Sequence, residues 1–200
     1  MIRAAIVGHS NLKQIPEHGA NPWCVNNIQI DTFCCPGATA SNLTEYAEYQ
    51  RFIDKQFDVV VVFIGGNDIT DNCKIANIYA KIKDIIDDIE NIIQPRFGTH
   101  LLEPEVRTGD PRFIAPGKYY KIRTHLIRKI KEKRELSLWT LLGRGLKLEH
   151  LGSDGTHLNR EGKVKLTEIL EQYLKEKIAN KKGRTERKVP KSKDRKVKLN

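Results

Sequence analysis

A three-layer α/β/α sandwich around a doubly wound, parallel, five-stranded sheet is the fold class that this sequence predicts. Three observations point to it. Strand-like and helix-like segments alternate along the chain, Asp58–Ile64 holds four consecutive valines followed by Phe63 and Ile64, and isoleucine recurs at helical spacing between Lys74 and Ile93. Alternation of this kind implies right-handed crossovers and helices on both faces of a mainly parallel sheet. A chain of 200 residues is long enough for one continuous core without metal or disulfide staples.

The first strand is Ile2–Val7, an apolar run stopped by Gly8. The second is Ile28–Phe33, where apolar and polar residues alternate. Ser41–Lys55 reads as a helix with Leu43, Tyr46, Ala47, Phe52 and Ile53 inward. Asp58–Ile64 has no polar alternation, as expected of a central strand covered on both faces. In the helix Lys74–Ile93, residues Ile75, Ile78, Ile82, Ile85, Ile86, Ile89 and Ile93 form a core stripe, and lysines and acids fill the other side. Thr99–Leu102 is the fourth strand, leading through Glu103-Pro104-Glu105 into a Pro- and Gly-rich loop that ends at Gly117; long loops in compact domains often carry function. Tyr119–Arg134 is a basic amphipathic helix whose Lys121, Arg123, Arg128, Lys129, Lys131, Lys133 and Arg134 read as a solvated face. Leu136–Leu142 is the fifth strand and Arg160–Ile178 the closing helix.

The formal charge of +10 is unevenly spread: residues 174–200 hold 12 Lys or Arg against 3 Asp or Glu, so nearly all of the excess lies there. Residues 1–178 are therefore taken as the domain and 179–200 as a basic tail, expected to be disordered because it has too little apolar surface to bury. The tail is either a contact for nucleic acid or another polyanion, or a solvated linker. No apolar stretch reaches the length of a membrane span, and no signal-peptide pattern follows Val7, so an intracellular protein, cytoplasmic or nuclear, is expected. Cys24, Cys34, Cys35 and Cys73 lack metal-ligand spacing and are expected to be free thiols; no metal and no cofactor is expected. Oligomeric state is not readable.

Open α/β sheets bind ligands beyond the carboxyl ends of their strands, near the point where strand order reverses. With strand order 2-1-3-4-5, four strand-following segments meet there. Ser10 follows the first strand, Gly37 the second and Asn67 the third; Asp154 and His157 follow the fifth. The residue types fit nucleophilic catalysis. A serine hydroxyl needs a histidine to take its proton, and the histidine needs an acid to fix its tautomer and hold the imidazolium that forms. Asp154 and His157, three residues apart, supply that pair. The backbone N–H groups of Ser10 and Gly37 and the Asn67 side-chain amide supply donors for an oxyanion. His9, Asn11 and Thr39 are candidates for substrate contact, and Leu12 and the loop from Arg107 to Gly117 are candidates for the acyl pocket.

Gly8-His9-Ser10, Gly37 within Pro36-Gly37-Ala38-Thr39, Gly65-Gly66-Asn67-Asp68 and Asp154-Gly155-Thr156-His157 resemble, in order, the four blocks of the SGNH, or GDSL-type, hydrolases. The resemblance runs over roughly residues 1–178. It implies the family's flavodoxin-like sandwich, a metal-independent serine esterase or acyl hydrolase, catalytic Ser10, Asp154 and His157, and an oxyanion hole of Ser10, Gly37 and Asn67. His9 stands where the family usually has aspartate, and the Gly-His-Ser form also resembles SGNH domains of some invertebrate retroelements.

Singly, each block has a plainer reading. Ser10 could cap a helix, Asn67-Asp68 could be a strand-to-helix turn, and Asp154-Gly155 a surface turn. Together they favour an enzyme cleaving small-molecule, lipid or carbohydrate esters, with short acyl or acetyl groups preferred. The alternative is a noncatalytic SGNH-like module binding RNA or another polyanion through its basic segments. A nucleotide-binding protein of similar fold is disfavoured, because neither phosphate-binding glycine fingerprint is present.

Overall fold

The computed structural model describes residues 1–16, 20–105, 107–108 and 116–186. Its sheet is built from β1 (Ile2–Gly8), β2 (Trp23–Val25), β3 (Ile28–Cys34), β4 (Val59–Phe63), β5 (Thr99–Leu102) and β6 (Leu138–Trp139), in the order β2-β3-β1-β4-β5-β6. Five strands are parallel and stand in the expected order; β2 adds a short antiparallel edge to β3. A two-residue hairpin makes that edge. Asn26 and Asn27 both take positive φ, 45° and 66°, as the turn favoured between twisted antiparallel strands requires.

The helices are α1 (Ala47–Ile53), α2 (Gly66–Thr70), α3 (Ile75–Ile92), α4 (Pro116–Lys133) and α5 (Arg160–Glu186). Strand β4 shows why both faces are covered. Val60 and Val62 point into a core with Leu43, Phe52, the α3 isoleucines, Leu126 and Ile130, whereas Val59, Val61 and Phe63 point into another with Leu12, Trp139 and the α5 residues Leu166, Ile169, Leu170 and Leu174. Alternation along the strand thus feeds two cores, and every β4 side chain is buried.

The expected helix over Ser41–Lys55 is broken. Leu43–Glu45 forms a 3-10 turn, Tyr46 is extended at ψ 136°, and only Ala47–Ile53 is α-helical. The Asn42 carboxamide explains the false start: its Oδ1 accepts from Thr39 N at 2.8 Å and Thr39 Oγ1 at 3.0 Å, a local bond that competes with helix. Leu43, Tyr49 and Phe52 are buried, Tyr46 and Ile53 pack partly buried against the same core as expected, and Ala47 is exposed.

Strand β6 is also shorter than Leu136–Leu142. Side chains take its next two backbone donors: Thr140 N–H goes to Tyr173 Oη at 2.9 Å and Leu141 N–H to Glu103 Oε2 at 2.6 Å. The ladder therefore ends without leaving a buried donor unpaired.

Helix α5 continues to Glu186, past the expected domain boundary at 178 and through Gly183, a poor helix former. The rest of the basic tail, 187–200, lies outside the described residues. On α4, Lys121, Arg128, Lys131 and Lys133 are exposed as expected, but Arg123 is buried. Its Nη2 stands 2.8 Å from Glu103 Oε1 and its Nε donates to the Pro104 carbonyl at 2.7 Å. Among the described residues, no helix is long and apolar enough to cross a membrane.

Candidate active site

Strand β1 ends at Gly8 because the chain passes tightly against β4 there: a Cβ on Gly8 would stand 2.0 Å from the Phe63 carbonyl oxygen. His9 stays extended and Ser10 opens a 3-10 turn, Ser10–Leu12, so the serine leaves the sheet at its carboxyl edge. Register carries the other segments to the same place. Gly8 is paired with Cys34 on one side and Phe63 on the other, and Gly37 and Asn67 lie just beyond those partners.

Ser10 Oγ is 2.9 Å from His157 Nε2, and His157 Nδ1 is 2.6 Å from Asp154 Oδ2. The acid–base turn holds itself. Asp154 Oδ1 accepts from the N–H groups of Thr156 and His157, both at 2.9 Å, and Gly155 takes φ +64° between them. Burial tends to raise the Asp154 pKa, but the bonds from the His157 ring and these two amides outweigh it and bring it down to about 2. An ionised Asp154 accepts a hydrogen bond from Nδ1–H and so keeps the ring proton on Nδ1, which leaves the Nε2 lone pair for the Ser10 hydroxyl. Asp154 and His157 side chains are each 52% exposed.

Across from this turn, Gly37 takes φ +79°, and a Cβ there would meet nothing nearer than Tyr46 Oη at 3.5 Å. Glycine is thus required by conformation rather than by space within the protein. Among the described residues, neither the Ser10 nor the Gly37 backbone N–H has an acceptor. Asn67, in the first turn of α2, donates one Nδ2 hydrogen to the Ala38 carbonyl at 2.8 Å and accepts at Oδ1 from Arg107 Nη1 at 3.0 Å. Its neighbour Asp68 is 2% exposed, and both carboxylate oxygens lie 3.0 Å from Ala40 N, tying α2 to the Gly37 segment.

The residues expected to touch substrate are placed differently. His9 is fully buried: its ring packs on Phe63, Nδ1 accepts from Asn11 N, and Nε2 lies 3.2 Å from Glu105 Oε2. Extended backbone after Gly8 turns its side chain away from that of Ser10. Asn11, 2% exposed, donates to Glu105 Oε1 and the Thr156 carbonyl and accepts from Leu158 N at 3.0 Å, so it latches the acid–base turn to the nucleophile turn. Thr39 spends its N–H and hydroxyl on Asn42. Leu12 is packed in the α5-side core and is no pocket wall. In the loop after β5, Arg107 is turned inward and Thr108 N donates to the Gly155 carbonyl at 3.0 Å; residues 109–115 lie outside the described residues.

Glu105 was not legible as a site residue, and Arg107, expected only to open the loop lining the acyl pocket, was not legible as its buried partner. Glu105 is fully buried, and Arg107 Nε donates to its Oε1 at 2.6 Å, with Nη2 also ion-paired to it. Burial alone would raise the Glu105 pKa, but Arg107 and His9 hold it well below the usual carboxylate range. Gly66 makes room for the pair: a Cβ there would lie 2.7 Å from Arg107 Nη2 and 2.9 Å from Glu105 Oε1. The available signal was position, because both residues follow β5 at the reactive edge. Among the described residues, no cluster of three His, Cys, Asp or Glu is arranged to hold a metal ion.

This arrangement can activate a hydroxyl, carry its proton to a leaving group and offer N–H donors to an oxyanion. The chain matches the model of the GDSL-like lipase/acylhydrolase family over residues 9–170. A search of curated protein sequences finds no match. Solved structures share the fold at low identity. The psychrotrophic esterase EstA of a Pseudoalteromonas species, in a structure inhibited by monoethylphosphonate, is 14% identical with a TM-score of 0.61, covering 88% of this chain and 98% of that one. A GDSL-like lipase of Bacteroides thetaiotaomicron is 13% identical with a TM-score of 0.61, covering 87% and 88%. A G-D-S-L family protein of Desulfitobacterium hafniense is 17% identical with a TM-score of 0.64, covering 86% and 99%. Family match, sheet order and strand-end segments agree: the chain belongs to the GDSL-like lipase/acylhydrolase family and is an SGNH-type serine hydrolase acting on ester bonds.

Proposed function

We propose that the protein cleaves carboxylic esters of short acyl groups, acetyl foremost, through an acyl-enzyme on Ser10. The observation that carries the reading is the unbroken chain from Ser10 Oγ to His157 at 2.9 Å and on to Asp154 at 2.6 Å. Ser10 Oγ attacks the ester carbonyl while His157 Nε2 takes its proton, and Asp154 holds the imidazolium. The carbonyl oxygen becomes an oxyanion, met by the backbone N–H groups of Ser10 and Gly37 and by the second N–H of Asn67 Nδ2. Collapse breaks the bond to the alcohol, which leaves with the proton from His157. Water then adds to the acyl group with His157 as base, and the carboxylic acid departs as Ser10 regains its proton.

The short-acyl preference rests on packing. Asn11 and Leu12, next in chain to the nucleophile, are committed to the interior and offer no long acyl wall. The phosphonate in the Pseudoalteromonas esterase structure carries an ethyl group, which favours small acyl mimics as probes. A p-nitrophenyl ester series from acetate to octanoate tests this. Activity is expected to be highest on acetate or butyrate and to fall by roughly 10³-fold or more in Ser10→Ala; a peak at octanoate contradicts the substrate class, and an active Ser10→Ala contradicts the nucleophile.

One observation favours a second, polyanion-binding role: Lys121, Arg128, Lys131 and Lys133 of α4 are all exposed. RNA affinity measured over a salt series, with those four residues changed to Glu, tests it; binding that ignores salt or the substitutions removes it.

A further inference from the structure

We propose that Arg107 is a positioning residue for the oxyanion donor: its guanidinium fixes the Asn67 carboxamide so that the amide nitrogen, not the amide oxygen, faces the reacting centre. The inference rests on the reading of Asn67 as an oxyanion donor and extends it to a residue that does not touch substrate.

A carboxamide has nearly the same shape in its two flipped orientations, but the flips differ in consequence. One presents a donor to a developing negative charge and the other an acceptor. Here the partners decide. An arginine has only donors, so the group facing Arg107 Nη1 at 3.0 Å must be Oδ1; a carbonyl has only lone pairs, so the group facing Ala38 O at 2.8 Å must be Nδ2. Clamped at both ends, Asn67 keeps one Nδ2 hydrogen for a third partner. A cation at the amide oxygen also draws electron density from the nitrogen and makes that N–H a stronger donor.

The clamp is itself immobilised. Both Nη1 hydrogens are used, one on Asn67 Oδ1 and one on Thr70 Oγ1 at 3.1 Å. On its other edge the guanidinium is held by Glu105, which also receives Asn11 Nδ2 at 3.0 Å and faces His9 Nε2 at 3.2 Å. Gly66 leaves the space this demands. Buried ion pairs are poor stabilisers compared with well-packed apolar residues, so stability alone is a weak reason for a nearly fully buried Arg107. A planar fork that spans Glu105, Thr70 and Asn67 at once is something a lysine ammonium cannot reproduce.

A double-mutant cycle on p-nitrophenyl acetate hydrolysis tests the proposal. Asn67→Ala is expected to lower kcat about 10²-fold, and Arg107→Lys about 10-fold with KM within about twofold, because only transition-state stabilisation is lost. In the Asn67→Ala background, Arg107→Lys should change kcat by less than about twofold, since its target is gone. Equal falls in both backgrounds, or no fall in the Asn67-containing protein, would overturn the role of Arg107. If Asn67→Ala itself leaves kcat unchanged, the oxyanion reading falls and the Arg107 proposal with it. Should circular dichroism show Arg107→Lys unfolded, Arg107→Gln, whose carboxamide can still donate to Glu105 and so leaves the His9 and Asn11 contacts in place, replaces it in the same cycle, with the same outcomes deciding.

Discussion

The two halves of the proposed catalytic centre are held by different means. On the nucleophile side, His9 and Asn11 are buried and fixed by Glu105, a residue far along the chain that reaches them only through the sheet. On the acid–base side, Asp154 and His157 are half exposed, and their mutual geometry is made by hydrogen bonds within one four-residue turn, which Asn11 and Thr108 then tie to the rest of the site. The difference separates two kinds of vulnerability. Damage to the buried half should reach the fold and the chemistry together, whereas damage to the exposed half should reach the chemistry alone.

The sharpest contrast is expected from His157→Ala, which removes the base. Esterase activity should fall by roughly 10³-fold or more with an unchanged melting temperature; a large loss of stability would break the division between the halves. Asp154→Asn comes next. It leaves the turn in place but favours the wrong tautomer, so kcat should drop roughly 10²- to 10⁴-fold, again without unfolding.

Glu105→Ala probes the other half. It strands Arg107 and His9 in the interior, and denaturant unfolding should show a loss of about 3–5 kcal/mol together with reduced kcat. A stability change below about 1 kcal/mol would mean that the buried ions do not hold the nucleophile turn.

The smallest expected effect is in the acid response. Asp154 is held below its ordinary value, to about 2, so its contribution is present above the unfolded carboxylate pKa and is lost as pH falls towards 2. Because the side chain is half exposed, that contribution is strongly screened by solvent. The melting temperatures of wild type and Asp154→Asn should differ slightly above about pH 4 and converge near pH 2; a difference that persists at pH 2 would contradict the assignment.

The same contrast explains what could be read in advance. Asp154-Gly155-Thr156-His157 is a local unit: acid, positive-φ glycine and base stand at the spacing their bonds require, so the turn was visible in the residue order. The parallel strands were visible because apolar runs such as Val59–Phe63 record burial on both faces. Burial of Glu105, Arg107, Glu103 and Arg123 was not visible. Charged residues in a Pro- and Gly-rich loop, or on a basic helix, read as solvated, and only their pairing across the fold makes the interior tolerable. The burial of His9 was hidden for the same reason. Its partner lies after β5, and nothing near it in the chain announces a buried carboxylate. Strand β2 escaped notice because three residues carry too little periodicity to mark a strand.

The central claim is that the Ser10 hydroxyl is the activated nucleophile. Treatment of wild type and His157→Ala with an ethyl fluorophosphonate, followed by peptide mass spectrometry, tests it most directly. The account predicts one stoichiometric adduct on the Ser10 peptide of the wild type, matching the loss of esterase activity, with labelling strongly slowed in His157→Ala. An adduct on another residue, or full inactivation with Ser10 unmodified, would contradict it.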